Sequence, residues 1–145
     1  MKGNVRPSMI EDAYALHTKL RAADLLELTT LGVDPLESLV QGHLRAHPQA
    51  YSVVVKGQVA GMFGVCPGIE PKFGCVWLLG SEDLLEIQEQ LLRDSKAWLD
   101  VISKDYDLIY NVVHELNSVH IRWIEFLGFK FLRHTSPHIE FARIP

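Results

Sequence analysis

The histidines, the two cysteines and two short runs of carboxylates are the residues through which this 145-residue chain could do chemistry. His43 and His47 stand four positions apart, a spacing at which two imidazoles on one helix face can share a metal ion. Neither has an acidic or cysteine neighbour in sequence, and histidine near a helix C-terminus is also favoured by the dipole alone. His134 and His138 flank the turn Ser136-Pro137. His114 with Glu115 follows an apolar run, where the two could serve as a base and its neighbour beside an amine; the plainer reading is a polar pair in a strand-end loop. Glu82, with Asp83, follows another apolar run. It could act as a base on an ammonium group, or it could sit in a helix's first turn, where acidic residues are favoured in any case. Cys66 and Cys75 lie in or beside apolar stretches, where a free cysteine behaves as a small hydrophobe. Trp77, Trp98 and Trp123 read as core or interface anchors.

The elements that must position these groups follow from patterning. Val5-Arg6-Pro7 is a short extended entry, and Ser8-x-x-Glu11 has the form of a capping box that starts a first helix. Its apolar face runs through Ala13, Leu16 and Leu20, and a second apolar stretch from Leu25 to Leu28 ends near Gly32. Asp34-Pro35-Leu36-Glu37 supplies a cap, a proline at the first helical position and an acid near the positive end, starting a second helix to about His47. Val53-Val54-Val55 and Val59 to Val65, joined through Lys56-Gly57, read as a hairpin. Cys75 to Leu79 is a continuous apolar run, as expected of a strand covered on both faces. A long helical region follows Ser81, most regular from Leu91 to Tyr106. Leu108 to Val113 is a strand, Asn117 caps a helix from Ser118 to Leu127 that stops at Gly128, and Phe129 to Arg133 and Ile139 to Ile144 are two closing strands. The order β-α-α-β-β-β-α-β-α-β-β describes an α/β (α+β) chain with a mixed central sheet and helices on both faces, in one domain spanning 1–145.

Composition narrows the function classes. Hydrophobic residues make up 48% and the formal net charge is −4, so a full core is available without disulfides or metal. Two cysteines outside a CxxC motif do not form a disulfide scaffold, which favours a reducing compartment. No apolar run approaches the roughly 20 residues of a membrane helix, and Met1 to Pro7 has no apolar leader core. Fourteen basic against eighteen acidic residues leave no excess for gripping phosphate backbones, so no nucleic-acid partner and no membrane partner are expected.

The segment Asn117-Ser118-Val119-His120-Ile121-Arg122-Trp123-Ile124-Glu125-Phe126-Leu127-Gly128-Phe129 resembles the one that ends acetyl-CoA-dependent acetyltransferases of the GNAT superfamily, where an Asn-capped helix runs into Gly-Phe. The element order, with its Lys56-Gly57 hairpin, is similar to that superfamily over essentially the whole chain. More narrowly, Met62-Phe63-Gly64, Trp77-Leu78-Leu79-Gly80 and Ser118 to Phe129 resemble GNAT-like proteins of short-tailed bacteriophages encoded near internal virion proteins. The resemblance implies that Cys75–Leu79 and Leu108–Val113 are splayed parallel strands accepting the pantetheine arm, with backbone groups near Leu78 and Leu79 facing the acyl arm; in an active enzyme Asn117 and the Leu78, Leu79 and Gly80 backbone would hold acetyl-CoA. It also implies the host cytoplasm, or the virion, as location, and phage virion proteins as partners; an oligomer is left open.

Two departures qualify that expectation. Where the superfamily has a Gln/Arg-x-x-Gly-x-Gly/Ala loop, whose bare amides hold a pyrophosphate, Gly80 is followed by Ser81-Glu82-Asp83-Leu84-Leu85-Glu86-Ile87-Gln88-Glu89, with four carboxylates and no second glycine. Ile124 stands where the superfamily commonly has a tyrosine that protonates the departing thiolate. Loss of general-acid help costs roughly 10²–10⁴-fold, whereas loss of the phosphate cradle removes cofactor binding itself. The expectation is therefore a GNAT-like protein with degenerate or weak acetyl transfer and a protein-binding role in virion assembly. The alternative is an active acyl-CoA-dependent N-acyltransferase acting on an amine, with His114 and Glu82 as the weak catalytic candidates.

Overall fold

A computed structural model of the chain describes residues 3–145; Met1 and Lys2, which begin the segment scanned for a leader, lie outside the described residues. In chain order the elements are β1 (Gly3–Pro7), α1 (Ile10–Leu16), a 3-10 turn at His17–Lys19, α2 (Ala22–Leu31), α3 (Pro35–Ala46), β2 (Ala50–Val55), β3 (Gln58–Pro67), β4 (Phe73–Gly80), α4 (Asp83–Glu86), α5 (Gln88–Ser103), β5 (Leu108–His114), α6 (Ser118–Phe126), β6 (Lys130–Thr135) and β7 (His138–Arg143). Among the described residues seven strands form one sheet in the order β1-β2-β3-β4-β5-β7-β6. Every neighbouring pair is antiparallel except β4 and β5, which run parallel.

The expected order holds, with two of its helices divided. The first breaks at the 3-10 turn, where Leu20 leaves the helix to bridge Ser81 at the end of β4. The long region after Gly80 breaks at Ile87, whose φ of −115° lies between α4 and α5. Leu84 and Ile87 are both buried against Val53, Val55 and Ala60, so the break turns two apolar residues of one short segment onto the same patch of sheet.

The helix is capped one residue later than Ser8-x-x-Glu11 suggests, and only the reciprocal half of a capping box forms there, because Met9 has no side-chain oxygen to accept an amide. Met9 is the N-cap, and its amide donates to the Asp12 carboxylate at 2.9 Å. The Ser8 hydroxyl lies 2.6 Å from His43 Nδ1 instead. Asp12 is the better partner because Arg6 (2.8 Å) and the Ser52 hydroxyl (2.7 Å) bind the same buried carboxylate. The remaining punctuation follows the sequence. Gly32 ends α2 with φ +74°, the Asp34 side chain accepts the Glu37 amide at 3.0 Å, and Lys56 and Gly57 turn the hairpin with φ of +54° and +73°, the signature of a primed two-residue turn.

The helices cover both faces of the sheet. Ala13, Leu16, Leu20, Leu28 and Leu39 pack with Met62 and Leu79 on one face. Leu99, Ile102 and Ile124 pack with Ile109, Val113, Phe129 and Phe141 on the other. Strand β6 forms an edge and is exposed along its length. Among the described residues no helix is long and apolar enough to cross a membrane.

Leu39 of α3 is fully buried in the first of these clusters. Leu39→Ala is expected to lower unfolding stability by about 2–5 kcal/mol, read as an earlier midpoint in urea denaturation with the slope unchanged.

Candidate functional site: the cleft between the parallel strands

The parallel pair β4 and β5 is joined only at Phe73–Leu108, Gly74–Ile109 and Cys75–Tyr110. Beyond Cys75 and Tyr110 the strands diverge. At the fork Asn111 takes over the hydrogen bonding: its Nδ2 donates to the Val76 carbonyl at 2.6 Å, and its Oδ1 accepts the Val112 amide at 2.7 Å. A cavity of about 670 Å³ occupies the gap, lined by both strands (Trp77, Leu78, Asn111, Val112), by α2 and α3 on one face (Glu27, Leu28, Gly42) and by α5 and α6 on the other (Leu91, Trp98, Trp123, Ile124).

The far end of the gap is bridged by side chains. Asp24 of α2 is fully buried. One carboxylate oxygen accepts the Gly80 amide at 3.0 Å; the other accepts Asn117 Nδ2 at 3.0 Å and Arg21 Nη1 at 3.2 Å. The Arg21 amide donates to the Gly80 carbonyl at 2.9 Å, and Arg21 Nη2 to Asn117 Oδ1 at 3.4 Å. A buried ion pair tolerates burial only when such hydrogen bonds satisfy it. His120 of α6 brings Nε2 to 3.6 Å from Asp24, and burial holds its imidazole below the usual histidine range.

One turn along α2, Glu27 accepts the His114 amide at 2.7 Å. Burial pushes its carboxyl up to about 7; the bond from His114 opposes the shift and the charge on Asp24 adds to it. A carboxyl in a cavity that titrates near neutrality is suited to accepting a proton from an ammonium group.

The sequence candidates distribute unevenly around this cleft. Asn117 caps α6 by position but makes no side-chain cap bond: its amide group is committed to Asp24 and Arg21, correcting the expected capping role, because a buried carboxylate demands donors more than an exposed helix end does. The hydrogen bond from the Ser81 amide to the Ala60 carbonyl fixes the β3–β4 ladder phase, so Leu79 turns its backbone polar groups to β3, while Val76, Leu78 and Gly80 turn theirs to the gap. Val76 is engaged by Asn111 and Gly80 by Asp24 and Arg21, leaving the Leu78 amide and carbonyl to open on the cavity.

His114 is buried and its Nδ1 accepts the Leu116 amide at 3.1 Å. It is not paired with Glu115, which binds His134 and the Ser136 hydroxyl at 3.0 and 2.8 Å; those bonds hold the Glu115 carboxyl below its ordinary range. Glu82 is exposed at the start of α4. The His43 and His47 rings are 6.4 Å apart, and no group of three or more His, Cys, Asp or Glu among the described residues is placed to hold a metal ion. Lys96 lies over the Phe126 ring at 4.7 Å, and Arg93 faces Asp94 at 3.7 Å.

Arg21, Asp24 and Glu27 are the functional-site residues that sequence reasoning missed. Their signal was present: on the face continuing Leu16 and Leu20, position 24 should be apolar, and it carries a carboxylate.

Comparison with solved structures agrees with the splayed-strand architecture. The chain superposes on Ard1 from Thermoplasma volcanium with TM-score 0.71 at 15% identity, covering 99% of this chain and 98% of that one. It superposes on PaiA N-acetyltransferase from Thermoplasma acidophilum, solved with coenzyme A, with TM-score 0.68 at 16% identity over 100% of both. A GNAT-family acetyltransferase from Bacillus anthracis gives 0.69 at 13%, over 99% and 95%. No protein-family model and no curated protein sequence matches the chain. The chain therefore has the GNAT acetyltransferase fold.

Two outcomes follow from the buried carboxylates. Asp24→Ala strips Arg21, itself only 6% exposed, of its counter-charge and should cost about 3–5 kcal/mol in chemical denaturation. Glu27 releases its proton at a higher pH folded than unfolded, so between its ordinary 4.5 and about 7 the folded state holds more protons and stability falls as pH rises. Glu27→Gln should match the parent below that window and exceed it above by up to about 3 kcal/mol, measured by urea titrations across pH.

Proposed function

We propose that this chain is a GNAT-fold protein in which acetyl transfer is degenerate and whose role is to bind other proteins during virion assembly of a short-tailed phage, in the host cytoplasm or the particle. The observation that carries the loss of transfer is the engagement of the Gly80 amide by the buried Asp24 carboxylate. A diphosphate needs free amides just past β4. Here the Ser81 amide serves Ala60, the Asp83 amide serves the Ser81 hydroxyl at 3.2 Å, and the Leu84 and Leu85 amides serve Ser81 and Glu82. Exposed Glu82, Asp83 and Glu86 surround them, with Lys56 facing Glu86 at 3.5 Å. These residues do not fit coenzyme A in the manner of the superfamily. Ile124, at the cavity wall, offers no proton to a leaving thiolate.

The protein-binding and phage parts of the reading rest on the sequence resemblance at Met62-Phe63-Gly64, Trp77 to Gly80 and Ser118 to Phe129. Leu116, Phe126, Leu132 and Ile144 on and around the C-terminal elements are each about half exposed or more, apolar surface that a protein partner would cover.

A second reading, an active acyl-CoA-dependent N-acyltransferase, is favoured by Glu27, a carboxyl titrating near 7 in a cavity that passes the parallel strands.

Thermal unfolding with millimolar acetyl-CoA separates the two. Ligand at a hundred times its dissociation constant adds about 2.7 kcal/mol, several degrees for a domain of this size. The expected result is an unchanged midpoint; a clear upward shift, together with acetyl transfer to an amine that Glu27→Gln abolishes while the shift persists, would establish the acyltransferase.

A further inference from the structure

Cys66 and Cys75 are Cα partners across the antiparallel β3–β4 ladder. The ladder phase at this end is fixed by the Gly68 amide, which donates to the Phe73 carbonyl at 2.8 Å. Two residues further along each strand, Cys66 faces Cys75 at a hydrogen-bonded position, and Pro67, which has no N–H, takes the non-bonded position between. Cα atoms at such a position are about 5.5 Å apart, well inside the roughly 4.4–6.8 Å that a disulfide spans. Directly opposed residues share a face of the sheet. Both cysteines are free, and both line the cavity; Cys66 Sγ lies 3.8 Å from the Gly42 carbonyl.

We propose that Cys66 and Cys75 form a reversible dithiol site in the cavity wall, closed to a cross-strand disulfide by exchange with a low-molecular-weight disulfide. The more exposed Cys75 loses its proton and its thiolate attacks one sulfur of the reagent, breaking that S–S bond and expelling one thiolate. Cys66, deprotonated in turn, attacks the Cys75 sulfur and expels the second. The two protein thiols are oxidised by two electrons, and the reagent is reduced to two thiols that take up the two protons.

The surroundings set the rate. Burial, then the neighbouring Cys66, pushes the Cys75 thiol up to about 11, with Arg45 opposing; burial also raises Cys66. Closure is therefore slow at neutral pH and accelerates about tenfold per pH unit below that value, as the thiolate fraction does. Cys75 is also the last β4 residue paired to β5, through Tyr110, so the new bond sits at the fork where the cleft begins. The inference needs neither acyl-CoA nor a protein partner, and it stands or falls apart from the reading above.

The test treats the folded full chain with dithiodipyridine and follows released thiopyridone and intact mass. The expected result is two thiopyridones per chain, no retained pyridylthio group, the loss of two hydrogens, a monomer on a non-reducing gel and full reversal by dithiothreitol. Cys66→Ser should release one thiopyridone and keep a stable adduct on Cys75, and Cys75→Ser should leave Cys66 markedly slower. A parent chain that keeps its adducts, links into dimers, or stays unreactive at alkaline pH while reacting in denaturant overturns the proposal.

Discussion

A single buried carboxylate holds the open end of this sheet together. Asp24 has no exposure, and an isolated charge there would cost far more than a small domain's net stability. Its survival depends on three hydrogen-bond donors: Arg21 at the start of its own helix, Gly80 at the end of β4 and Asn117 after β5. Because those donors belong to strands that no longer pair with each other, satisfying Asp24 is what fixes how far the strands stand apart. The ion pair is thus a spacer as much as a bond. Removing either partner would leave the other buried and uncompensated, which makes the spacing a cooperative property of α2, β4 and α6.

The same helix turns the cleft into a place where protons can be held. Glu27 lies three residues after Asp24, near enough for the Asp24 charge to raise it further and too buried for water to lower it. Asp24 is held by several donors, while Glu27 accepts the His114 backbone amide. Glu27 is thereby the carboxyl of this helix that holds its proton up to about 7. A carboxyl that titrates near neutrality suits proton transfer; in this chain it is built on α2 rather than on the residues that follow the parallel strands, His114 and Glu82.

The general architecture was legible because it rests on short-range rules. The Lys56-Gly57 turn, the Asp34-Pro35 start, the Gly128 stop with φ +86° and the unbroken run Cys75 to Leu79 each state their role within a few residues, and the Asn117 to Phe129 segment carried the family likeness. The site was less legible because it depends on partners about 90 residues apart, as Asp24 and Asn117 are. Asn117 has the right identity for a cap, and only the distant carboxylate explains why its side chain turns inward. The Ser8 capping box failed for a similar reason: Asp12 serves Arg6, Ser52 and Met9 together, a demand invisible in the local window. His114 and Glu115, adjacent in sequence, point to separate networks because successive strand residues face opposite sides.

What keeps the cleft open without a ligand is the chain itself. Parallel strands that separate inside a protein leave amides and carbonyls facing each other across a gap, and each unpaired group carries a penalty of order 1–3 kcal/mol. At the fork Asn111 substitutes its side-chain amide for the missing strand, binding Val76 across the gap and the Val112 amide beside it. At the far end Asp24 and Arg21 do the same for both polar groups of Gly80. On β4, Leu78 lies between these two bridges and faces the cavity. The opening is therefore bounded by side chains that belong to the resting fold, and a molecule entering it meets the Leu78 backbone, the Glu27 carboxyl and a largely apolar and aromatic wall in place of a row of free strand groups.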